Sequence, residues 1–319
     1  MDVAVIVPNW NGRRWLAQCL QALSEQTRPP AEIVIVDNGS TDGSLSILDA
    51  RAPPASGPRV TTIRLGHNTG FACAANRGIE AAASEAVALV NTDVVLAPDW
   101  LERMAERLQR DPSLAAVACK MLQMGDEHRL YDAGDVLRRD GACEQRGRFE
   151  RDDGSYDEPG DVFAACAGAA VYRRSAVLDV GGFDERLFSY LEDVDLGMRL
   201  QLAGWRCAYE PATAVHQGGG SSWQLRPPVE HWVQRNTLLL VAKAFPVRWL
   251  PFVLYRQLGW AWHALRERRL RWQLTGALAA LPLIPAMLRE RARLRRTAAS
   301  PIEAIVPSIP IRGRARPTR

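Results

Sequence analysis

Two stretches decide the fold: VAVIVPN (3–9) and EIVIVDNGSTDGS (32–44). Each is an unbroken apolar run that stops at a polar residue. A strand with one wet face alternates, whereas a continuous Val/Ile run is a strand covered on both faces, as in a parallel sheet between helices. Between the two, Trp15, Leu16, Cys19, Leu20 and Leu23 share one helical stripe. Asn38-Gly39-Ser40-Thr41-Asp42-Gly43 is a turn cluster able to start the next helix. Outward from here, Val60 to Leu65 reads as a strand and Phe71 to Ala83 as a helix. Val87 to Val90 then forms a strand that ends in Asn91-Thr92-Asp93. The alternation predicts an α/β fold, a mostly parallel sheet flanked by helices.

Ligands of such sheets gather at the carboxyl ends of the strands. Asn9, Asp37 and Asp93 each follow an apolar run, so the fold puts all three on one rim. The stretch 125–160, rich in Gly, Asp and Arg, predicts a hairpin or mobile loop. Ala169 to Tyr172 reads as a strand, Gly181-Gly182-Phe183-Asp184 as a turn, and Leu191 to Ala203 as a helix with Gly204 as its C′ residue. A late strand, Trp205 to Tyr209, leads to a loop holding His216 and Gly218-Gly219-Gly220. After Arg226 the pattern is helical, with tryptophan and arginine interleaved. Leu274 to Leu288 is apolar but is broken by Pro282 and Pro285 and is short for a membrane span. The expected organisation is a catalytic domain over 1–225, a helical basic region over 226–298 and a disordered tail over 299–319.

The 319 residues are 47% apolar and 24% charged, which excludes a collagenous, disulfide-rich or wholly disordered chain. The net charge of +4 hides a division. Residues 226–319 hold 18 basic and 4 acidic side chains, against 22 and 32 in the first 225. A basic C-terminal region suits an anionic surface. The six cysteines form no C-x-x-C pair and read as buried hydrophobes in a reducing compartment. The opening residues lack the basic and apolar regions of a secretory signal. The expectation is a cytoplasmic protein, free or on the cytoplasmic face of the inner membrane.

The polar clusters each admit two readings. Asp37 is a turn former, or a carboxylate receiving hydrogen bonds from a nucleotide base or ribose. Asn68-Thr69-Gly70-Phe71, with Asn76-Arg77-Gly78, is an ordinary strand–helix turn, or a site where Gly70 admits close backbone approach and the helix start favours an anion. Asp93 is a cap, or a carboxylate holding a divalent cation beside a diphosphate. His216 is structural, or a second metal ligand. Ser221 and Ser222 stand where a closing loop could reach phosphates. In Glu192-Asp193-Val194-Asp195, Ser189-Tyr190-Leu191-Glu192 fits a capping box with Ser189 as N-cap. Asp193 is a solvated first-turn acid, or a base able to take a proton from an acceptor hydroxyl.

Taken in order, VAVIVPNWNG (3–12), EIVIVDNGSTDGS (32–44), NTGFACAANRGI (68–79), NTDVVL (91–96), the stretch 168–204 and AVHQGGGSS (214–222) resemble glycosyltransferase family 2. The resemblance covers about the first 225 residues. It implies the GT-A nucleotide-diphospho-sugar transferase fold with a helical C-terminal extension. It also implies a site. Pro8, Asn9, Asp37 and Asn38 would line the nucleoside pocket, with Asn76 near it. Asn91 stands in place of the first acid of the family's D-x-D motif, leaving Asp93 as the carboxylate ligand of a divalent cation, Mg or Mn, with His216 as the second ligand. Asp193 would be the catalytic base. The GGFDE segment is similar to that of rhamnosyltransferases and galactofuranosyltransferases of bacterial surface glycans. The implied activity is inverting transfer of a sugar, rhamnose from dTDP-rhamnose, to a glycan or lipid-linked acceptor. Peripheral membrane contact through the C-terminal region and no nucleic-acid partner are expected. Hexosyl or galactofuranosyl transfer from a UDP-sugar, and a non-catalytic nucleotide-sugar-binding subunit on the same fold, are the alternatives.

Overall fold

The structure, a computed structural model, describes residues 1–49, 57–218 and 224–306. Its strands are β1 (Val3–Asn9), β2 (Glu32–Asp37), β3 (Arg59–Arg64), β4 (Ala86–Val90), β5 (Val94–Leu96), β6 (Leu114–Gln123), β7 (Asp126–Asp132), β8 (Asp135–Leu137), β9 (Cys143–Gln145), β10 (Gly160–Val162), β11 (Ala169–Arg173) and β12 (Arg206–His216). The helices are α1 (Arg13–Ser24), α2 (Ser44–Asp49), α3 (Phe71–Ala81), α4 (Trp100–Arg110), α5 (Arg174–Asp179), α6 (Glu192–Leu202), α7 (Val229–Ala244), α8 (Leu250–Arg266), α9 (Leu270–Ala280), α10 (Ile284–Thr297) and α11 (Ile302–Ile305).

The main sheet runs β10-β12-β6-β11-β4-β1-β2-β3, with β5 on β12 and β7 on β6. The half from β3 to β4 is parallel. The unbroken run of β1 has the expected cause. Val5 and Val7 enter the core on one face, with Leu16, Leu20 and Trp100, while Ala4 and Ile6 enter the other, with Ala75 and Ile79. The chain order reverses at β1, between β4 and β2, which opens the crevice where such sheets bind ligands. β11 then enters antiparallel between β4 and β6. That insertion sets residues 167–168 beside Asn91.

Of the two forms expected for the stretch 125–160, the structure shows the hairpin, β7 folding back on β6, followed by the β8–β9 ribbon. Other expectations are corrected. The late strand runs on from Tyr209 to His216. The tail expected to be disordered from 299 is ordered at first: α11 packs on α6, and the Ala299 amide donates to the Leu202 carbonyl at 2.7 Å. Nor does α7 stand apart from the catalytic domain. Its Lys243, 1% exposed, pairs with Asp195 at 2.6 Å and Asp184 at 2.7 Å. Two buried carboxylates and their one lysine make a unit that no boundary at 225 divides.

Candidate active site

The pairing of β5 with β12 assembles the first part. His216 ends β12 opposite Val94, the residue after Asp93. The register brings His216 Nε2 to 3.5 Å from Asp93 Oδ2. The Gln217 amide donates to the Asp93 carbonyl at 2.8 Å and holds the two together. Tyr131 stacks on the imidazole, 3.9 Å between centroids and 8° between planes. Burial lowers the pKa of His216 in spite of the Asp93 charge, which keeps the ring neutral, the form that ligates metals. A neutral imidazole facing a carboxylate fits a divalent cation. The Gly218 amide donates to His216 Nδ1 at 3.2 Å, which leaves the proton on Nε2. Were His216 to ligate a cation through Nε2, its proton would have to pass to Nδ1 and the Gly218 contact would be lost. Ser221 and Ser222 lie outside the described residues.

The rim near the chain start is built from side chains that hold one another. Asn9 is fully buried, and its Nδ2 donates to Asp37 Oδ1, Ser40 Oγ and Ser44 Oγ at 2.8, 3.0 and 3.1 Å. The Asn38 side chain is fully engaged. Its amide donates to Asn68 Oδ1 and the Gly70 carbonyl, and its oxygen accepts from Thr69. Asn38 therefore shapes the pocket wall, whereas Asn9 keeps its Oδ1 buried and without a partner among the described residues. Asp37 sits beside Asn9 in register, and Pro8, next to it, is half-buried at the rim. Asn76 is placed elsewhere: it donates to the Phe183 carbonyl at 2.9 Å and accepts from the Phe183 amide at 2.8 Å. It pins the GGFDE turn, and no free polar atom is left for a nucleotide. The start of α3 is likewise occupied, because the Phe188 carbonyl approaches Gly70 and accepts from the Ala72 amide at 3.1 Å.

Asp193 is linked to Asp93 and His216 through residues 167–168, which lead into β11. Its Oδ2 accepts from the Ala167 amide at 3.2 Å and its Oδ1 from the Val194 amide at 2.8 Å. The neighbouring Gly168 carbonyl accepts from the Asn91 amide at 2.8 Å, two residues from Asp93. Burial raises the Asp193 pKa against those two hydrogen bonds, as a base near neutral pH requires. The capping box does not form. The residue before α6 is Leu191, in left-handed conformation at φ 65°, and Glu192 turns inward, 6% exposed with Oε2 unpartnered among the described residues.

Sequence reasoning missed the acids around this base. Donor atoms of Asp132, Asp135 and Cys166 lie within 4.8 Å of one another. Asp132 Oδ2 and Asp135 Oδ2 are buried without a partner among the described residues. Burial, with the Asp193 charge added, pushes Asp132 up to about 7 and Asp135 well above its ordinary value. The signal was Tyr-Asp-Ala-Gly-Asp at 131–135, inside a stretch read as a hairpin or mobile loop with no site in it. It missed Asn236 of α7 as well. That side chain, fully buried, donates to the carbonyls of Leu187, Ser189 and Tyr190 at 2.9, 3.0 and 2.7 Å. Phe188, Tyr190 and Leu191 all have positive φ, a strain that needs such a clamp.

Residues 4–181 match the model of Glycosyl transferase family 2. The chain belongs to glycosyltransferase family 2. It is 31% identical over 311 residues to the N-acetylglucosaminyl-diphospho-decaprenol L-rhamnosyltransferase of Mycobacterium tuberculosis, covering 88% of this chain and 91% of that one. It is 30% identical over 242 residues to the pre-mycofactocin glycosyltransferase of the same organism, covering 74% of this chain and 45% of that one. Two solved structures share the GT-A fold. The mannosyltransferase PcManGT from Pyrobaculum calidifontis, in complex with GDP-Man and Mn2+, has a TM-score of 0.55 at 20% identity, over 92% of this chain and 80% of that one. TarS 1–349 of S. aureus in complex with UDP-GlcNAc has a TM-score of 0.59 at 16% identity, over 93% and 84%. The protein is thus a glycosyltransferase, similar to a rhamnosyltransferase.

Proposed function

We propose that this glycosyltransferase moves rhamnose, with inversion, from dTDP-rhamnose to a hydroxyl of a lipid-linked or surface-glycan acceptor, on the cytoplasmic side of a membrane. Likeness to the mycobacterial rhamnosyltransferase over most of both chains supports the sugar and the acceptor class. Six unpaired cysteines fit a reducing compartment.

The observation that carries the reaction is the half-buried Asp193 carboxylate. It is held by the Ala167 amide one residue from the strand contact that leads to Asp93 and His216. Asp193 takes the proton of the acceptor hydroxyl as that oxygen bonds to the anomeric carbon. The bond from that carbon to the diphosphate breaks on the opposite face, and the nucleoside diphosphate leaves. Asp93 and His216 are the residues that would hold a divalent cation, Mg or Mn, whose charge would offset that of the leaving diphosphate. Pro8 and Asp37 bound the nucleoside end of the crevice.

The test is transfer by the purified protein from a panel of nucleotide sugars, dTDP-rhamnose and UDP-linked hexoses among them, with and without Mn2+. The reading expects dTDP-rhamnose to be used best, and Asp193→Asn to lose about a hundredfold or more of the rate while still binding donor. Full activity in that variant removes Asp193 from the mechanism, and preference for a UDP-sugar removes rhamnose.

A further inference from the structure

The C-terminal helices are amphipathic in the reverse of the usual sense. On α8, Leu254, Tyr255, Leu258, Trp262 and Leu265 recur at intervals that place them on one face, and they are 53–82% exposed. Val253 and Ala264, on the other side, reach the core. A second stripe runs through α9 into α10, with Leu274, Leu278, Leu281 and Leu288 between 49% and 64% exposed. The two stripes lie on helices that pack together, and α9 and α10 rest on α7. Scattered exposed leucines need no explanation, but nine large apolar side chains in two continuous stripes mark a surface meant to be covered.

Charge selects the cover. Residues 226–306 carry 14 basic and 4 acidic side chains, and residues 307–319 add four arginines and no acid. Exposed Arg266, Arg268, Arg269 and Arg271 crowd the turn where α8 meets α9. Of these, among the described residues, only Arg269 meets an acid, Glu230 at 2.6 Å. A second copy of the chain would set like charges against each other. A bilayer with anionic headgroups offers both an apolar boundary and negative charge. Trp262, on the exposed stripe of α8, is suited to that boundary. No described helix is long and apolar enough to cross a membrane, so contact would be in the plane of the interface.

We propose that the α8–α9 face docks on an anionic lipid bilayer, with Leu254, Leu258 and Trp262 at the acyl boundary and the arginines of 266–271 against lipid phosphates. α7 fixes this face to the site, because the helix that carries α9 and α10 also clamps the loop before the base. The inference rests on the proposed function only for what is gained by docking, namely reach to a lipid-linked acceptor. Its test uses vesicles with no donor or acceptor, so the two can fail separately.

The experiment is sedimentation of the full chain with vesicles of phosphatidylcholine alone or mixed with phosphatidylglycerol, beside a light-scattering mass. Binding is expected to the anionic vesicles only and to fall with added salt. It should weaken about tenfold or more in Leu258→Asp/Trp262→Asp and also weaken in Arg266→Glu/Arg268→Glu. Thermal unfolding of both variants should match the parent, since the altered side chains are exposed. The proposal is overturned if neither vesicle binds the chain, or if binding survives both variants. A discrete dimer that dissociates in Leu258→Asp would assign the face to a second copy instead.

Discussion

Lys243 Nζ of α7 lies 2.6 Å from Asp195 Oδ1 of α6, with both side chains almost wholly buried. Asp195 is two residues beyond Asp193, the proposed base, in the same helix. Arg199 holds its other oxygen at 2.7 Å, and Lys243 also reaches Asp184 in the GGFDE turn. Hydrogen bonds from Arg186 and the Lys243 charge overcome burial to hold Asp184 well below the usual carboxylate range. A helix outside the family match at 4–181 thus completes the charge balance beneath the catalytic helix.

Replacing Lys243 by Met leaves two carboxylates facing an apolar side chain. Breaking a buried pair from one side costs about 3–5 kcal/mol, of which Arg199 and Arg186 return a part. Urea unfolding should show the loss. A chain ended at 225 should fail to fold, which solubility and circular dichroism would show.

Asn236→Leu should act on rate more than on nucleotide binding. It removes hydrogen bonds to Leu187, Ser189 and Tyr190 and frees a strained loop, but touches nothing near Asp37. Each lost bond to a buried carbonyl costs about 1–3 kcal/mol. The expected result is a large fall in kcat with donor affinity nearly unchanged. Equal loss of both would mean that the clamp serves the whole domain.

The pH–rate profile should follow Asp193. Its pKa is raised by burial, and the base works only when ionised. Activity should therefore fall with acid around a midpoint above the ordinary aspartate value of about 3.9. Burial and the Asp193 charge hold Asp135 protonated, so it ionises after Asp193, and Asp135→Asn should leave that midpoint in place. A midpoint that moves would mean that Asp135 carries charge beside Asp193.

Stability should fall as pH rises through the neutral range. Asp132 is raised to about 7, and Asp135 and Glu192 are raised further, chiefly by burial. Between the unfolded carboxylate range and those values the folded state binds more protons than the unfolded state. ΔG of unfolding then decreases with pH, by the proton-linkage sign. Asp184, shifted the other way, acts only at lower pH. Melting temperatures from pH 5 to 8 should decline, and Asp132→Asn/Asp135→Asn should flatten the slope.

His216→Ala should weaken activation by Mn2+ and leave folding intact, since the ring lies at the rim and stacks on Tyr131. Mn2+ titration of activity reads this directly. A variant with unchanged metal dependence would leave Asp93 without its partner.

The sequence by itself determined the parallel half of the sheet and the rim. Unbroken runs at 3–7 and 33–36 can only be strands covered on two faces, and the polar residues that end them must then fall together. It also determined Asp93, His216 and Asp193 as candidates, because each sits at the end or start of a regular element. Tertiary structure alone decided the rest. The antiparallel entry of β11 sets Ala167 against Asp193, and the β5–β12 register sets His216 against Asp93. Glu192 turned inward because Leu191, not Ser189, precedes the helix, and Asn76 was claimed by Phe183. The α7 clamp left no local pattern, and the Asp132–Asp135 pair left only a short Asp-Ala-Gly-Asp stretch that does not announce its burial. Burial of a charge and the partner that compensates it are properties of distant segments meeting, and no spacing along the chain encodes them.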